Sequence, residues 1–275
     1  MSLVAKIGRR LHKSRLQYGV LMTIGRCFAW PAMYLSWRLG ELSPSERRRR
    51  NAGEEFDSAH GVDTERSRFN EWDADIDSPN WAQGVGYDPT PAETVRKSLR
   101  LLPINYEEYA FVDLGSGKGR VPLVATDFPF HEVIGVEYAP DLHEVAERNI
   151  AAYSNPNQRC ERIRAVCHDA AAFPMPERPL VLFFAHPFGE TVIRKFLQGI
   201  DETLTRFPRK IYLIYYDPIC GAMFRGGRFR EFKSCDLPSK AVLPKFFYTR
   251  LRWFELIGFR NREGKEFVIF ESVQE

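Results

Sequence analysis

Four carboxylates, a run of glycines and one histidine stand at the ends of successive apolar runs, where α/β chains commonly place their chemistry. The stretch FVDLGSGKGR, residues 111–120, sets Gly115, Gly117 and Gly119 around Ser116, with Asp113 just ahead of them. A glycine-rich turn between a strand and a helix admits a ligand close to the backbone, because no Cβ stands in the way. A P-loop is excluded: Lys118 is followed by Gly119 rather than Ser or Thr and lies too near the first glycine. A dinucleotide turn needs Gly-x-Gly-x-x-Gly, and here the third glycine comes one residue early. Glu137 ends the next apolar run, where a carboxylate can accept hydrogen bonds from both hydroxyls of a ribose. Asp169 ends the third run and His186 the fourth. A neutral histidine, with an ordinary pKa of about 6.5, accepts one hydrogen bond or takes a proton from an amine or hydroxyl. The competing reading has His186 only cap the following helix or shape a pocket. Asp217 ends the fifth run, either facing a substrate or opening the turn before Pro218.

These residues need a scaffold that brings strand ends together. The runs YAFVDL, EVIGVEY, RIRAVCHD, LVLFFAH and KIYLIYYD are apolar almost throughout and alternate with the amphipathic stretches GRVPLVATDF, PDLHEVAERNIAAYS and GETVIRKFLQGIDETLTRF. Strands of that kind, separated by helices, predict a parallel sheet buried on both faces, a doubly wound α/β domain whose ligands sit outside the strands' carboxyl ends. TRLRWFELIGF and EFVIFESV follow, joined by the short turn RNREGK, which leaves no room for a crossover helix. This last pair is therefore predicted to be an antiparallel hairpin. Ahead of the domain, Thr90 is predicted to cap a helix opened by Pro91, closed into a capping box by Glu93 and running to about Leu102.

VDLGSGKGR resembles motif I of the class I S-adenosylmethionine-dependent methyltransferases, and the likeness extends over roughly Thr90 to Val273. The resemblance implies a seven-stranded sheet, mostly parallel with an antiparallel C-terminal hairpin, and helices on both faces. It implies S-adenosylmethionine as cofactor: Asp113 orients its amino-acid portion, Gly115, Ser116, Gly117 and Gly119 pass its methionine and ribose, Glu137 takes the ribose and Asp169 the adenine amino group. His168, beside Asp169, is read as structural. In the amino-methyltransferases the fourth strand ends in Asn or Asp, then Pro, and often a second Pro and an aromatic. Here it ends His186-Pro187-Phe188, a departure that leaves the acceptor-binding group open while keeping the proline and aromatic. An aromatic face steadies positive charge developing on nitrogen, so the acceptor is expected to be a nitrogen on a protein or small molecule. His186, Phe188 and Asp217 are the candidate catalytic residues. Tyr87 and Thr90, from a strap over residues 56–91, are expected to close over the cofactor. An NAD(P)-dependent oxidoreductase is disfavoured by the glycine spacing, whereas a cofactor-binding protein without turnover is the alternative that His186 keeps open.

The 275 residues, 44% of them hydrophobic, suffice for one domain with a core and an appendage. The net charge of +3 hides an asymmetry, because residues 1–50 carry eleven Lys and Arg against two Glu. Basicity confined to one end argues against a nucleic-acid-binding domain. Five cysteines without Cys-x-x-Cys spacing imply a reduced, cytoplasmic chain and no zinc site, and no other cluster suggests a metal. Residues 1–55 are expected to form a basic, partly apolar helical segment and linker, with the linker around ELSPSERRRRNAGEEFDS, and residues 92–275 the methyltransferase domain. The apolar stretch LQYGVLMTIGRCFAWPAMYLSWRLG contains Arg26 and Pro31 and is preceded by Lys6, Arg9, Arg10, Lys13 and Arg15. It suits peripheral contact with an anionic membrane surface better than a span, or packing on the domain or a partner.

Overall fold

The computed structural model describes residues 44–65, 87–185, 190–218, 220–236 and 265–273, with isolated positions 8, 11, 12, 15, 20 and 24. Seven strands lie in the order β3-β2-β1-β4-β5-β7-β6. They are β1 (Ala110–Leu114), β2 (Glu132–Glu137), β3 (Ile163–Cys167), β4 (Leu180–Phe184), β5 (Ile211–Tyr216), β6 (Phe229–Asp236) and β7 (Lys265–Ser272). β1 to β5 pair in parallel, and β7 runs antiparallel between β5 and β6. The order reverses between β1 and β4, so the carboxyl ends of β1, β2 and β4 border one crevice. This is the seven-stranded, mostly parallel sheet with an antiparallel end that the resemblance implied.

Alternate residues of each strand enter two separate hydrophobic layers, as a sheet covered on both faces requires. One layer joins Val112, Leu114, Leu182 and Phe184 to Val192, Ile193, Phe196 and Ile200 of a helix at Glu190–Arg206. The other joins Phe111, Val133, Val181 and Phe183 to Phe56, Val95, Leu99, Leu123 and Val124. These last come from α1 (Pro44–His60), α2 (Ala92–Arg100) and α3 (Arg120–Ala125); α4 (Pro140–Ala152) follows β2, and the Glu190–Arg206 helix is α5.

Three sequence expectations change. Beside β5, the antiparallel partner of β7 is Phe229–Asp236, a segment not named among the predicted strands, while TRLRWFELIGF and its turn as far as Gly264 lie outside the described residues. The charge run expected to be linker is helical from Pro44 to His60, across the boundary drawn at residue 55. Phe56 reaches the core from this helix, and Thr64, Pro89 and Thr90 are buried, so the described ends of the strap are built into the domain. Thr90 also makes no capping bond: α2 is capped by Pro91, with Thr94 and Val95 N–H donating to the Pro91 carbonyl, and it ends at Arg100. Pro91 thus stands one position ahead of the place predicted for it.

Candidate active site

The glycine turn is laid over the end of β2. Gly115 and Ser116 both donate their N–H to the Val136 carbonyl, at 2.8 and 3.0 Å, and Gly119 donates to Ser116 O at 2.9 Å. Gly117 donates to Glu137 Oε2 at 2.7 Å, while Ala139 N–H, at the head of α4, donates to Glu137 Oε1 at 2.9 Å. Glu137 therefore braces the turn on one side and the entry to α4 on the other. The turn needs glycine for reasons of shape: Gly117 and Gly119 have φ of 54° and 91°, in the left-handed region. At Gly117 a Cβ would overlap the Tyr87 ring.

Asp113, at the end of β1, is 1% exposed, and its Oδ1 has no hydrogen-bond partner among the described residues. Burial, reinforced by the charge of Glu137, holds its carboxyl well above the ordinary range. Burial pushes Glu137 up to about 7 against the lowering effect of its backbone donors. A buried carboxylate oxygen without a donor is rare in a finished core, and it marks a place for a ligand that donates. Ser116 Oγ is also unpartnered, but it points at the sheet, where a Cβ on Gly135 would lie 2.9 Å from it. Thr90 Oγ1 is the third buried side-chain oxygen without a partner among the described residues.

Asp169 follows β3 and accepts the Ala171 N–H on Oδ1 at 2.9 Å, with His168 exposed beside it. Asp217 follows β5 with φ of 50°, the one described non-glycine residue of positive φ. Its N–H donates to Glu266 O at 2.9 Å, the last rung between β5 and β7. An aspartate tolerates this conformation at some cost, and such local strain gathers at functional sites. His186 and Phe188 lie outside the described residues, two and four positions beyond the end of β4 at Phe184. The structure brings Asp113, the glycine turn, Glu137 and Tyr87 together; Asp169 and Asp217 stand after β3 and β5, on opposite sides of β1 in the sheet. Among the described residues no group of three His, Cys, Asp or Glu is placed to hold a metal ion.

What the sequence did not reveal is the use made of Lys118 and Arg120. Lys118 sits in the turn and Arg120 is the first residue of α3; both are buried, and their partners come from residues 53–65. Lys118 Nζ meets Asp63 Oδ1 at 2.8 Å and the Glu65 carbonyl at 3.3 Å. Arg120 donates to Thr64 Oγ1 at 2.6 Å, Glu65 Oε2 at 3.0 Å, Asp57 Oδ1 at 3.3 Å and the Gly53 carbonyl at 3.4 Å, with its guanidinium over the Phe56 ring. Asp57 in turn accepts the N–H groups of Thr64 and Glu65, the first turn beyond α1. A charge pattern inside the motif was the only available signal, because the acids that answer it lie more than fifty positions upstream.

No family model matches the chain, and no curated protein does. Many solved structures do. An RNA methyltransferase from Salinibacter ruber, in complex with S-adenosyl-L-homocysteine, is 14% identical, covering 67% of this chain and 92% of the other with a TM-score of 0.38. A ribosomal protein L11 methylase from Lactobacillus delbrueckii subsp. bulgaricus is 10% identical, covering 67% and 77% with a TM-score of 0.39. Similarity of this order carries no acceptor or activity to this chain.

Proposed function

We propose that the chain is an S-adenosylmethionine-dependent methyltransferase acting on a nitrogen of a protein or small molecule. The observation that carries the reading is Asp113: a buried carboxyl at the end of β1, beside the glycine turn and Glu137, with one oxygen lacking a donor. Such an oxygen suits the cationic amino group of a bound amino-acid moiety. Glu137 is positioned by the backbone donors of Gly117, Ala139 and Tyr138 and retains acceptor capacity for a ribose hydroxyl, since each carboxylate oxygen can take two hydrogen bonds. Asp169, at the end of β3, is assigned to the adenine amino group, and Tyr87 and Thr90 to the closure over the cofactor. When bound, the cofactor supplies a methyl group on a sulfonium, and the protein's part is to orient a neutral nucleophile and keep water out. His186 takes or holds the acceptor's proton, Phe188 faces the positive charge that develops, and Asp217 orients the acceptor.

Calorimetry with S-adenosylmethionine, S-adenosylhomocysteine and NAD tests the cofactor. Binding of both sulfur ligands and not NAD is expected; binding of NAD alone would sink the proposal. For the acceptor, His186→Ala is expected to cut turnover about a hundredfold with cofactor affinity unchanged, and unchanged turnover would remove His186 from the chemistry.

The basic N-terminal segment is proposed to meet an anionic membrane surface from the cytoplasmic side. Leu11, Val20 and Ile24 are exposed apolar residues, with Arg15 among them. No helix among the described residues is long and apolar enough to cross a membrane. Full-length protein is expected to float with phosphatidylserine vesicles and to lose that partition when Leu11, Val20 and Ile24 are replaced by Ser.

A further inference from the structure

Lys118, in the turn that would hold the cofactor, and Arg120, the first residue of α3 behind it, are only 2% and 4% exposed and bond to the chain upstream. Their partners converge on Thr64, which is fully buried and engaged at every polar atom: its N–H and Oγ1 bond Asp57, Oγ1 also accepts from Arg120, and its carbonyl accepts the Tyr87 hydroxyl at 2.5 Å. Tyr87 lays its ring against Gly117. Asn149, on α4, closes the circuit by bonding both backbone groups of Asp63 and the Lys118 carbonyl at 2.8 to 2.9 Å. The second tie is at the other end of the strap, where Arg49 of α1 bonds Asp88 at 3.0 Å and the Pro89 carbonyl at 3.1 Å.

We propose that Lys118 and Arg120 are positioning residues, which clasp the segment Gly53–Glu65 and Tyr87 onto the glycine turn so that this upstream segment belongs to the cofactor site. The inference rests on the cofactor reading above. Three glycines of the turn hold positive φ, a conformation that a free glycine chain leaves readily, and the bonds of Gly115, Ser116 and Gly117 to β2 fix only one side of it. The clasp fixes the other side. Two cations and the three carboxylates of Asp57, Asp63 and Glu65 stand in it: loss of Asp63 leaves buried Lys118 without its carboxylate, and loss of Asp57 leaves Arg120 with Glu65 alone and Thr64 without its acceptor. A loosened turn must be ordered again by the ligand, which lowers cofactor affinity without touching the step that follows binding.

The test uses the full chain carrying Asp57→Asn, Asp63→Ala or Arg120→Lys. Asp63 is mainly solvent-exposed, its side chain 72% accessible, so its truncation removes a clasp contact without emptying the core. S-adenosylhomocysteine binding is measured by calorimetry and amide exchange of residues 115–120 in the unliganded protein by mass spectrometry. Each variant is expected to raise Kd about tenfold or more and to speed exchange in the turn, with kcat at saturating cofactor unchanged and KM for cofactor raised. Arg120→Lys keeps the charge and loses the fork, so its effect reads the geometry of the guanidinium rather than its charge. Kd within twofold of wild type in all three would overturn the clasp. If the wild type binds no S-adenosylhomocysteine, the cofactor reading fails by itself; faster turn exchange in the variants then still supports the clasp, and unchanged exchange overturns it.

Discussion

Glu137 is caught between burial, which favours its neutral form, and the backbone donors of Ala139, Gly117 and Tyr138, which favour the ionised one; burial wins and its pKa rises to about 7. A folded value above the unfolded one means that its contribution to stability is complete below about pH 4.5 and is lost as pH rises through 7. Asp113 is shifted in the same direction by its burial. Ligand hydroxyls prefer the ionised carboxylate, so cofactor affinity should rise through the same window with release of a proton. Calorimetry at pH 6.5 in two buffers of different ionisation enthalpy reads that proton directly, and identical heats would break the link to Glu137. Asp113→Asn removes a buried ionisable group whose Oδ1 meets no donor. The unliganded variant should melt about 2–4 °C higher at pH 8 and bind S-adenosylhomocysteine about tenfold more weakly. Equal affinity would move the cofactor's amino group elsewhere. The identity of these two acids was plain from the sequence, since each closes an apolar run; their unequal settings were not, because donors such as Gly117 N–H arise only when the turn folds over β2.

At the scale of elements, the turn and the two helices beside it form one close-packed unit. A Cβ at Gly119 would stand 3.4 Å from Ala146 Cβ on α4, on a backbone at φ of 91°. Gly119→Ala should therefore cost about 1–2 kcal/mol from the left-handed conformation alone, read as a lower midpoint in urea, and an unchanged midpoint would show that the turn relaxes freely. The elements that sequence revealed are those with an unambiguous pattern. β1, β4 and β5 are buried nearly throughout, and their apolar runs announce it. β6 reads FREFKSCD and lies at the sheet edge with most side chains exposed, so nothing in its composition separates it from a loop. α1 was hidden for a related reason: its sequence is dominated by charge, and it contributes Phe56 as its buried anchor.

Across the whole molecule, the sheet divides the core into two layers that share strands but not side chains. Phe196→Leu in one layer and Leu123→Ala in the other should destabilise independently, the second by about 2–5 kcal/mol, with the double variant additive to about 0.5 kcal/mol. Marked non-additivity in denaturant unfolding would show that the layers communicate through the sheet. The clasp, in contrast, gathers residues 49–65, 87, 118–120 and 149 into a single structure whose parts are widely separated along the chain. One contact within it reaches beyond this molecule. Because the Tyr87 ring fills the space that a side chain at 117 would need, the two positions are sterically matched. Among related sequences they should covary: wherever 117 carries more than a hydrogen, position 87 should carry something smaller than tyrosine, and chains that keep both large should be found without this turn.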